Sequence, residues 1–378
     1  MAAILFTSGS TGVPKGVVYT HKIFTAQVEL LKKMYQIKPG EIDLPTFPLF
    51  ALFDPALGMT TILPEMDFSR PAKANPEKII NAIRKFGVTN MFGSPAIINL
   101  LGRYGKVHGI KLPTLKRVIS AGAPVSAKSL ERFKLMLKPN VNIHTPYGAT
   151  ESLPVSTISS DEILDKTCSQ TDQGHGVCVG RPVDGIHVAI IKITDTHIAE
   201  WSDNLISVQG QIGEIVVKGP IVTHEYFSRK EDTKLAKIPC ESFGEFYHRM
   251  GDVGYMDDKG RLWFCGRKSH RVVTEDETLF TIPCESVFNS HPDVFRTALT
   301  GVMINGRMRP VLCVELEKDV GKCEKDRIEK ELLDRGKNNT ITANINNILF
   351  HKAFPVDVRH NSKIFREKLA VWAEKKIA

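Results

Sequence analysis

Residues 75–92, NPEKIINAIRKFGVTNMF, decide the fold class of this chain. Asn75 and the proline after it are residue types that open a helix, and Gly87 is the type that ends one. Three isoleucines between them recur at helical spacing and mark one apolar face. The apolar run at 88–92 then predicts a strand. This order of helix, glycine turn and strand is typical of an α/β domain.

The same alternation extends to both sides of this segment. Residues 3–7 predict a buried strand, and residues 17–19 predict a second, short strand. Farther along, a helix that carries Leu130, Phe133, Leu135 and Leu137 is predicted after Ser126, between strands at 117–120 and 141–144. Helices that alternate with strands in this way indicate βαβ units and a largely parallel sheet.

The pattern changes at about Gly180 to short strands, which predicts a β-rich region. The clearest strands are at 187–193 and 213–218, and a hairpin is predicted around 257–260. After Arg267 the pattern changes again, to a smaller α+β module.

In that module a strand is predicted near 310–316 and a charged amphipathic helix near 324–336. We therefore predict a large region, 1–268, made of an α/β sheet part (1–179) and a β-rich part (180–268), followed by a small α+β region, 269–378.

Composition excludes several classes of protein. The 378 residues are 42% hydrophobic and carry a net charge of +8, but the basic residues are interleaved with acids, which argues against a nucleic-acid interface. The longest apolar stretch, 47–63, is interrupted by prolines and an aspartate and does not predict a membrane helix. The N-terminus lacks the basic flank of a signal peptide, so a cytoplasmic protein is expected.

Cysteine and histidine usage predicts neither disulfides nor a metal site. The seven cysteines form an odd set without a Cys-x-x-Cys pair, which favours reduced thiols. The twelve histidines are scattered, and Cys168, His175 and Cys178 are too irregularly spaced for a zinc ligand set.

The strongest local motif is the string 7–16, TSGSTGVPKG, between the two predicted strands at the start of the chain. Its glycines allow backbone amides to turn toward a ligand, its four hydroxyls offer donors, and its lysine supplies charge. These properties suit a polyphosphate. A Walker loop needs Gly-Lys-Ser/Thr at the start of a helix, whereas Lys15 stands between proline and glycine, so that interpretation fails. The candidate phosphate-binding residues are Thr7, Ser8, Gly9, Ser10, Thr11, Gly12 and Lys15; a plain Ser/Gly surface loop is the alternative.

This string resembles the phosphate-loop motif of the adenylate-forming superfamily, which includes acyl-CoA synthetases, peptide-synthetase adenylation domains and luciferases. Further segments resemble the motifs of that superfamily in the same order. They are Ala121-Gly122-Ala123-Pro124, Tyr147-Gly148-Ala149-Thr150-Glu151, Met250-Gly251-Asp252, Gly266-Arg267 and Asn361-Ser362-Lys363-Ile364-Phe365-Arg366.

The resemblance implies a fold, two ligands and a role for each motif. The fold would be a partial large adenylation domain followed by a small lid domain, and the ligands would be ATP as substrate and Mg²⁺. Gly122, Ala123 and Pro124 would lie against adenine, with Tyr147 offering an aromatic face.

The remaining motif residues would act on the metal, the sugar and the reacting groups. Thr150 and Glu151 would belong to the catalytic turn, with Glu151 as the Mg²⁺ ligand. Asp252 would bind the ribose hydroxyls, Arg267 would open the linker to the lid, and Lys363 would offset charge on the carboxylate and the α-phosphate. Taken singly, Glu151 or Lys363 could be a surface residue, Asp252 a turn residue and Tyr147 a core residue.

Within the superfamily, the chain resembles the beta-lactone synthetases of bacterial olefin biosynthesis most. The resembling segments are 47–58, 144–155, 263–272 and 354–372. The resemblance implies adenylation of a long-chain β-hydroxy fatty acid, then closure of the β-hydroxyl onto the activated carbonyl without coenzyme A. Other enzymes of olefin biosynthesis would be its partners.

Two other functions remain open. One is an acyl-CoA or peptide-type ligase that shares the first half-reaction, and the other is a non-catalytic nucleotide-binding remnant.

Three departures from the superfamily pattern affect these expectations. Ala51 stands where a histidine or aromatic gate is usual, and Ser269 stands at a hinge position that is commonly charged. The phosphate loop also begins at Thr7, whereas relatives carry a long segment before it. We therefore expect part of the acyl-domain framework to be absent and the strand at 3–6 to expose an unpaired edge.

Overall fold

The computed structural model describes residues 1–7, 13–242, 244–357 and 363–377. The chain opens with a two-stranded antiparallel sheet of β1 (Ala3–Phe6) and β2 (Gly16–Tyr19). The prediction of a buried first strand is wrong: β1 is only partly covered, and the side chain of Phe6 is 68% exposed. The physical reason is that β1 pairs with β2 alone and packs one face onto a small cluster that contains Tyr19, Ile23 and Tyr226.

The α/β part follows and confirms the fold class. Its elements are α1 (His21–Tyr35), β3 (Ile42–Pro45), α2 (Asp54–Leu57), β4 (Thr60–Thr61), α3 (Pro76–Phe86), β5 (Asn90–Gly93), α4 (Pro95–His108), β6 (Arg117–Ser120), α5 (Ala127–Lys134) and β7 (Ile143–Ala149). Strands β4, β3, β5, β6 and β7 lie side by side in that order and run parallel.

Local signals set both ends of α3 and the start of α5 as the sequence predicts, whereas α5 ends earlier than predicted. The Asn75 side chain accepts a hydrogen bond from the Glu77 amide at 2.9 Å, and Gly87 ends α3 in the left-handed conformation with φ 61°. Helix α5 begins after Ser126 but ends at Lys134, so the predicted helical position of Leu135 lies beyond it and is 55% exposed.

The two faces of the parallel sheet are covered differently. On one face, helices α3, α4 and α5 bury a continuous apolar core whose members include Leu44, Ile79, Met91, Leu101, Val118 and Phe133. On the other face, α1 and α2 cover a smaller cluster that includes Tyr35, Phe92 and Ile119. The candidate substrate pocket lies in this second layer.

The β-rich part continues the same sheet. Its elements are β8 (Ser152–Ser159), α6 (Ser160–Glu162), α7 (Cys168–Gln170), β9 (Val177–Pro182), β10 (His187–Ile191), β11 (Gly213–Lys218), α8 (Lys230–Ala236), β12 (Lys237–Pro239), β13 (Phe246–Met256) and β14 (Leu262–Arg267). The strand order is β10-β11-β13-β14-β9-β8-β7, with antiparallel pairing throughout and β12 on β13. The parallel and antiparallel halves therefore join at β7 and β8, and the predicted hairpin around 257–260 connects β13 and β14.

Short irregular turns complete the α/β and β-rich parts. They are 3₁₀ turns at Pro48–Leu52, Pro71–Lys73, Asp203–Leu205 and Lys268–His270, and π-helical turns at Ile163–Thr167 and Thr171–His175.

The C-terminal module is α+β, in agreement with the prediction. Its elements are β15 (Val272–Val273), β16 (Thr278–Leu279), α9 (Thr281–Asn289), β17 (Val294–Ile304), β18 (Arg307–Leu316), α10 (Lys322–Lys337), β19 (Asn347–Phe350) and α11 (Arg366–Ile377). Strand β18 pairs antiparallel with β17 and parallel with β19. Its core, around Phe288, Leu312 and Leu332, is separate from the cores of the large sheet. Among the residues placed by the structure, no helix is both long and apolar enough to cross a membrane.

Candidate active site

The candidate site lies at the carboxyl edge of the parallel strands. The segment that contains Gly122, Ala123 and Pro124 follows the end of β6, and Gly122 has φ 102°, which a side chain would disfavour. Tyr147 lies on the next strand, β7, and Thr150 and Glu151 form the turn from β7 to β8. The carboxyl ends of parallel strands are where open α/β sheets bind ligands.

The ends of the phosphate-loop candidate are tied together. The Thr7 amide donates to the Lys15 carbonyl at 3.0 Å, and the Lys15 amide donates to Thr7 Oγ1 at 3.0 Å. The Lys15 ammonium lies 2.7 Å from an oxygen of Asp232 and 5.0 Å from the ring centre of Tyr226. Ser8, Gly9, Ser10, Thr11 and Gly12 lie outside the described residues. The loop is therefore closed at its base, beside a lysine held in place.

The turn that carries Glu151 is held by three hydroxyls. The Tyr226 hydroxyl donates to Glu151 Oε1 at 2.7 Å, and the Thr223 hydroxyl donates to the Glu151 carbonyl at 3.1 Å. The Tyr19 hydroxyl donates to the Thr150 carbonyl at 2.6 Å. Burial, together with the charge of Glu151, raises the pKa of Tyr226 far above its usual value, so this tyrosine keeps its proton as a donor.

The residues around Glu151 fit a magnesium ion of the kind that nucleotides carry. Within the part of the chain that the structure describes, Oε1 of Glu151 accepts a hydrogen bond whereas Oε2 has none, and no cluster of three His, Cys, Asp or Glu residues could form an all-protein cage. Mg²⁺ prefers one or two carboxylates together with water and substrate phosphates. A single carboxylate oxygen beside a phosphate loop suits that preference.

Tyr147, Asp252 and Arg267 form a connected group. The Tyr147 hydroxyl donates to Asp252 Oδ2 at 2.7 Å, and the Arg267 guanidinium donates to Asp252 Oδ1 at 2.7 Å. Asp252 and Arg267 are register partners on β13 and β14. Burial and the neighbouring Asp252 carboxylate raise the pKa of Tyr147 well above its usual value. Each carboxylate oxygen has a further lone pair, so Asp252 could still accept hydrogen bonds from a vicinal diol.

Lys363 comes from the C-terminal module and lies within electrostatic reach of this group. Its backbone carbonyl accepts a hydrogen bond from the Asp357 amide at 2.9 Å. Burial and the positive charge of Arg267 lower the pKa of Lys363, while Asp357, Asp252 and Glu151 act in the opposite direction. The candidate lysine, the candidate ribose ligand and the candidate metal ligand therefore share one electrostatic environment.

An apolar pocket adjoins these residues, and sequence reasoning did not find it. The cavity has a volume of about 70 Å³, lies between α1, α2 and the sheet, and includes among its lining Phe50, Phe53, Leu57, Phe92 and Ile119. Ala121 and Pro146, which also line it, directly precede Gly122 and Tyr147 in the chain. The pocket therefore reaches the point where an activated carboxylate would lie.

Polar side chains interrupt the apolar lining. Asp43 and Asp54 are each 2% exposed, and Asp43 accepts a hydrogen bond from Asn90. Burial, and secondarily the charge of Asp54, raises the pKa of Asp43 to about 8. Gln27, on α1, is a further polar member of the lining. The segment 47–58 supplies part of this wall, and its resemblance to the lactone-forming branch was the only sequence signal that could have located it.

Comparison with known proteins identifies the class. The family model described as AMP-binding enzyme matches residues 1–227, and the chain belongs to this family of adenylate-forming ligases. The olefin beta-lactone synthetase of Xanthomonas campestris pv. campestris is 50% identical over 376 residues, which make up 99% of this chain and 67% of that protein. The protein of the same name from Stenotrophomonas maltophilia is 49% identical over 376 residues, with the same shares of 99% and 67%.

A solved structure supports the fold independently. O-succinylbenzoate coenzyme A synthetase from Bacillus subtilis, in complex with ATP and magnesium ion, superposes with a TM-score of 0.74 at 23% identity, covering 97% of this chain and 69% of that chain. At this identity the likeness shows the fold alone.

Proposed function

We propose that this chain uses ATP and Mg²⁺ to convert a long-chain β-hydroxy fatty acid into its acyl-AMP and then closes the acyl-AMP to a β-lactone. One observation carries the proposal: the hydrogen-bonded group of Tyr147, Asp252 and Arg267 adjoins an apolar pocket, whose lining includes Pro146, directly before Tyr147. The charges of Asp252 and Glu151 also act on Lys363. The 50% identity to a protein named olefin beta-lactone synthetase supports the choice of product.

In the first step, an oxygen of the substrate carboxylate bonds to the α-phosphorus of ATP. The bond from that phosphorus to the bridging oxygen breaks, and pyrophosphate leaves with the electron pair. Under this proposal, the loop closed by Thr7 and Lys15 holds the phosphates and Glu151 holds Mg²⁺, which neutralises phosphate charge when bound. Tyr147 and Asp252 hold the nucleoside, and Lys363 offsets the charge that accumulates between carboxylate and phosphate.

In the second step, the β-hydroxyl oxygen bonds to the acyl carbon. The bond from that carbon to the AMP oxygen breaks, AMP leaves with the electron pair, and the hydroxyl proton is released. The nucleophile belongs to the same molecule, so holding its geometry supplies part of the rate. No second substrate has to enter.

The domain assignment belongs to the same proposal. We propose that residues 269–378 act as the lid; the effect of the Asp252 and Glu151 charges on Lys363, which belongs to these residues, supports this assignment. A β-lactone product would also require a separate enzyme that consumes it, such as a partner in olefin biosynthesis.

The test is incubation of the chain with a long-chain β-hydroxy acid, ATP and Mg²⁺, with and without coenzyme A. Pyrophosphate release is measured enzymatically, and products are identified by mass spectrometry. A β-lactone formed without coenzyme A supports the proposal. An acyl-CoA product, or a lactone that needs coenzyme A, would replace it with the ligase alternative. AMP binding without acid-dependent pyrophosphate release would make the chain a nucleotide binder.

A further inference from the structure

A buried amide oxygen in the pocket lacks a partner. Gln27, on α1, is 3% exposed and lines the apolar pocket. Its Nε2 donates to the Leu153 carbonyl at 2.8 Å. Its Oε1 is buried without a hydrogen-bond partner among the described residues. Because the Leu153 carbonyl can only accept, the amide orientation is set: Nε2 faces that carbonyl and Oε1 is the atom left for a ligand.

The position of Gln27 relates this oxygen to the reacting groups. Leu153, to which Gln27 is bonded, lies two residues after Glu151. Gln27 also neighbours the Tyr19 hydroxyl, which donates to the Thr150 carbonyl. Gln27 therefore lies beside the turn from β7 to β8, where the activated carboxylate is expected.

A buried acceptor without a hydrogen-bond partner is unfavourable, and a ligand that donates to it gains affinity. The Tyr19 hydroxyl already donates to Thr150. The polar side chains in the lining have other partners among the described residues: Asn90 donates to Asp43, and Asp54 accepts from Thr61. None of them donates to Gln27 Oε1, so a donor on the ligand would satisfy this oxygen.

We propose that Gln27 Oε1 accepts a hydrogen bond from the β-hydroxyl of the substrate and makes this chain selective for β-hydroxy acids. This inference rests on the proposed function. A neutral amide oxygen does not remove the proton; it fixes the O–H direction, so that a lone pair of the hydroxyl oxygen can face the acyl carbon. An acid without the hydroxyl leaves Oε1 unpaired, and sites that lose a buried hydrogen bond discriminate strongly.

The test measures affinity rather than turnover. The probes are three stable acyl-sulfamoyl-adenosine analogues of the acyl-AMP with the same alkyl chain. They carry a hydroxyl, a hydrogen or a fluorine at the β-carbon, and fluorine cannot donate. In the wild-type chain, calorimetry should show that the hydroxyl analogue binds at least roughly 10-fold more tightly than the hydrogen or the fluorine analogue. In Gln27→Met that preference should fall below about 3-fold.

Leu31→Met is the matched control, since Leu31 lines the same pocket one turn farther along α1. It should shift the affinities for all three analogues together and keep their ratio. A Gln27→Met variant that retains the full preference for the hydroxyl analogue would overturn the inference. If that variant does not fold, the wild-type comparison decides: equal binding of the hydroxyl and fluorine analogues would overturn it.

The outcome also separates this inference from the proposed function. Failure of all three analogues to bind the wild-type chain would contradict the acyl-adenylate site itself. Tight binding of all three without preference would contradict only the role of Gln27.

Discussion

At the scale of single residues, Lys363 is the side chain on which the proposed chemistry depends most. We expect Lys363→Ala to lower acid-dependent pyrophosphate release by roughly 10²–10³-fold, the effect of removing one preorganised charge-stabilising group. AMP affinity, measured by calorimetry, should change much less, because in the proposed site Tyr147 and Asp252, which are bonded to each other, hold the nucleoside.

Lys375→Ala is the matched control, since Lys375 is an exposed lysine on the same C-terminal module. It should release pyrophosphate at the wild-type rate. A Lys363→Ala chain with undiminished release would remove the tail lysine from the mechanism.

Asp43 should make stability depend on pH. Burial and the nearby Asp54 raise the pKa of Asp43 in the folded chain to about 8, far above that of an unfolded aspartate. Between these two pKa values the folded state binds more protons than the unfolded state, so stability falls as pH rises toward 8. Asp43→Asn keeps an acceptor for Asn90 and removes the titration, so its melting temperature should fall less than the wild-type value between pH 5.5 and 8.

Melting curves at the two pH values, recorded by circular dichroism, check this expectation. Asp258→Asn serves as control, because Asp258 lies exposed in the β13–β14 turn. Asp258→Asn should show the same difference in melting temperature between pH 5.5 and 8 as the wild type. An Asp43→Asn chain with the same pH dependence as the wild type would mean that the buried carboxyl is ionised throughout.

At the scale of elements, the tail is anchored by one buried ion pair. Arg366, at the start of α11, donates to both carboxylate oxygens of Glu285 on α9, and to the Leu299 carbonyl at 3.2 Å. We expect Arg366→Met to destabilise the C-terminal module by about 3 kcal/mol, because it leaves the Glu285 carboxylate buried without its cation. Adenylation should fall as well, since Lys363 lies three residues before the anchor.

Urea unfolding of the single variant and of Arg366→Met/Glu285→Gln measures this effect. The double variant should recover part of the lost stability, because the uncompensated charge is gone. Equal losses in both variants would show that apolar packing, rather than the ion pair, holds α11.

Elements with strong local signals could be predicted from the sequence, and those defined by tertiary pairing could not. The Asn75 cap and Gly87 fix α3 through contacts within a few residues, so its bounds follow from the sequence. An apolar run such as 3–6 does not reveal its partner. It was predicted as a buried strand, whereas among the described residues it pairs with β2 and with no other strand.

For the candidate site, too, the sequence predicts local features but not tertiary contacts. Motif residues could be named in advance because each motif is short. The bond between Tyr147 and Asp252 joins residues 105 positions apart, and the pocket is assembled from α1, α2 and several strands. Neither leaves a local pattern, which is why the sequence predicted the residues of the site but not their contacts, nor the roles of Gln27 and Asp43.

At the scale of the whole molecule, Lys268 connects the linker to the large sheet. Its ammonium donates to the Thr194 carbonyl at 2.8 Å and lies 3.2 Å from Glu214 Oε2. The next residue is Ser269, the hinge position expected from the sequence. We therefore propose that Lys268, one position earlier, holds this segment to the large sheet.

We expect Lys268→Ala to loosen the linker without unfolding either part. Limited proteolysis should cut near residues 268–272 several-fold faster than in the wild type, because the charge-assisted contacts with Thr194 and Glu214, each of about 1.5–3 kcal/mol, are lost. Lys318→Ala, at an exposed lysine of the C-terminal module, should leave the cleavage rate unchanged. Unchanged cleavage in Lys268→Ala would place the hinge elsewhere.

The two hydrogen bonds that hold Asp252 have a consequence for nucleotide binding. Tyr147 donates to one oxygen of Asp252 and Arg267 donates to the other. The carboxylate therefore cannot rotate to adapt to a ligand without breaking one of these hydrogen bonds. In the proposed role, the ribose hydroxyls must align with a carboxylate of fixed orientation, so a nucleotide that lacks one of these hydroxyls should bind more weakly.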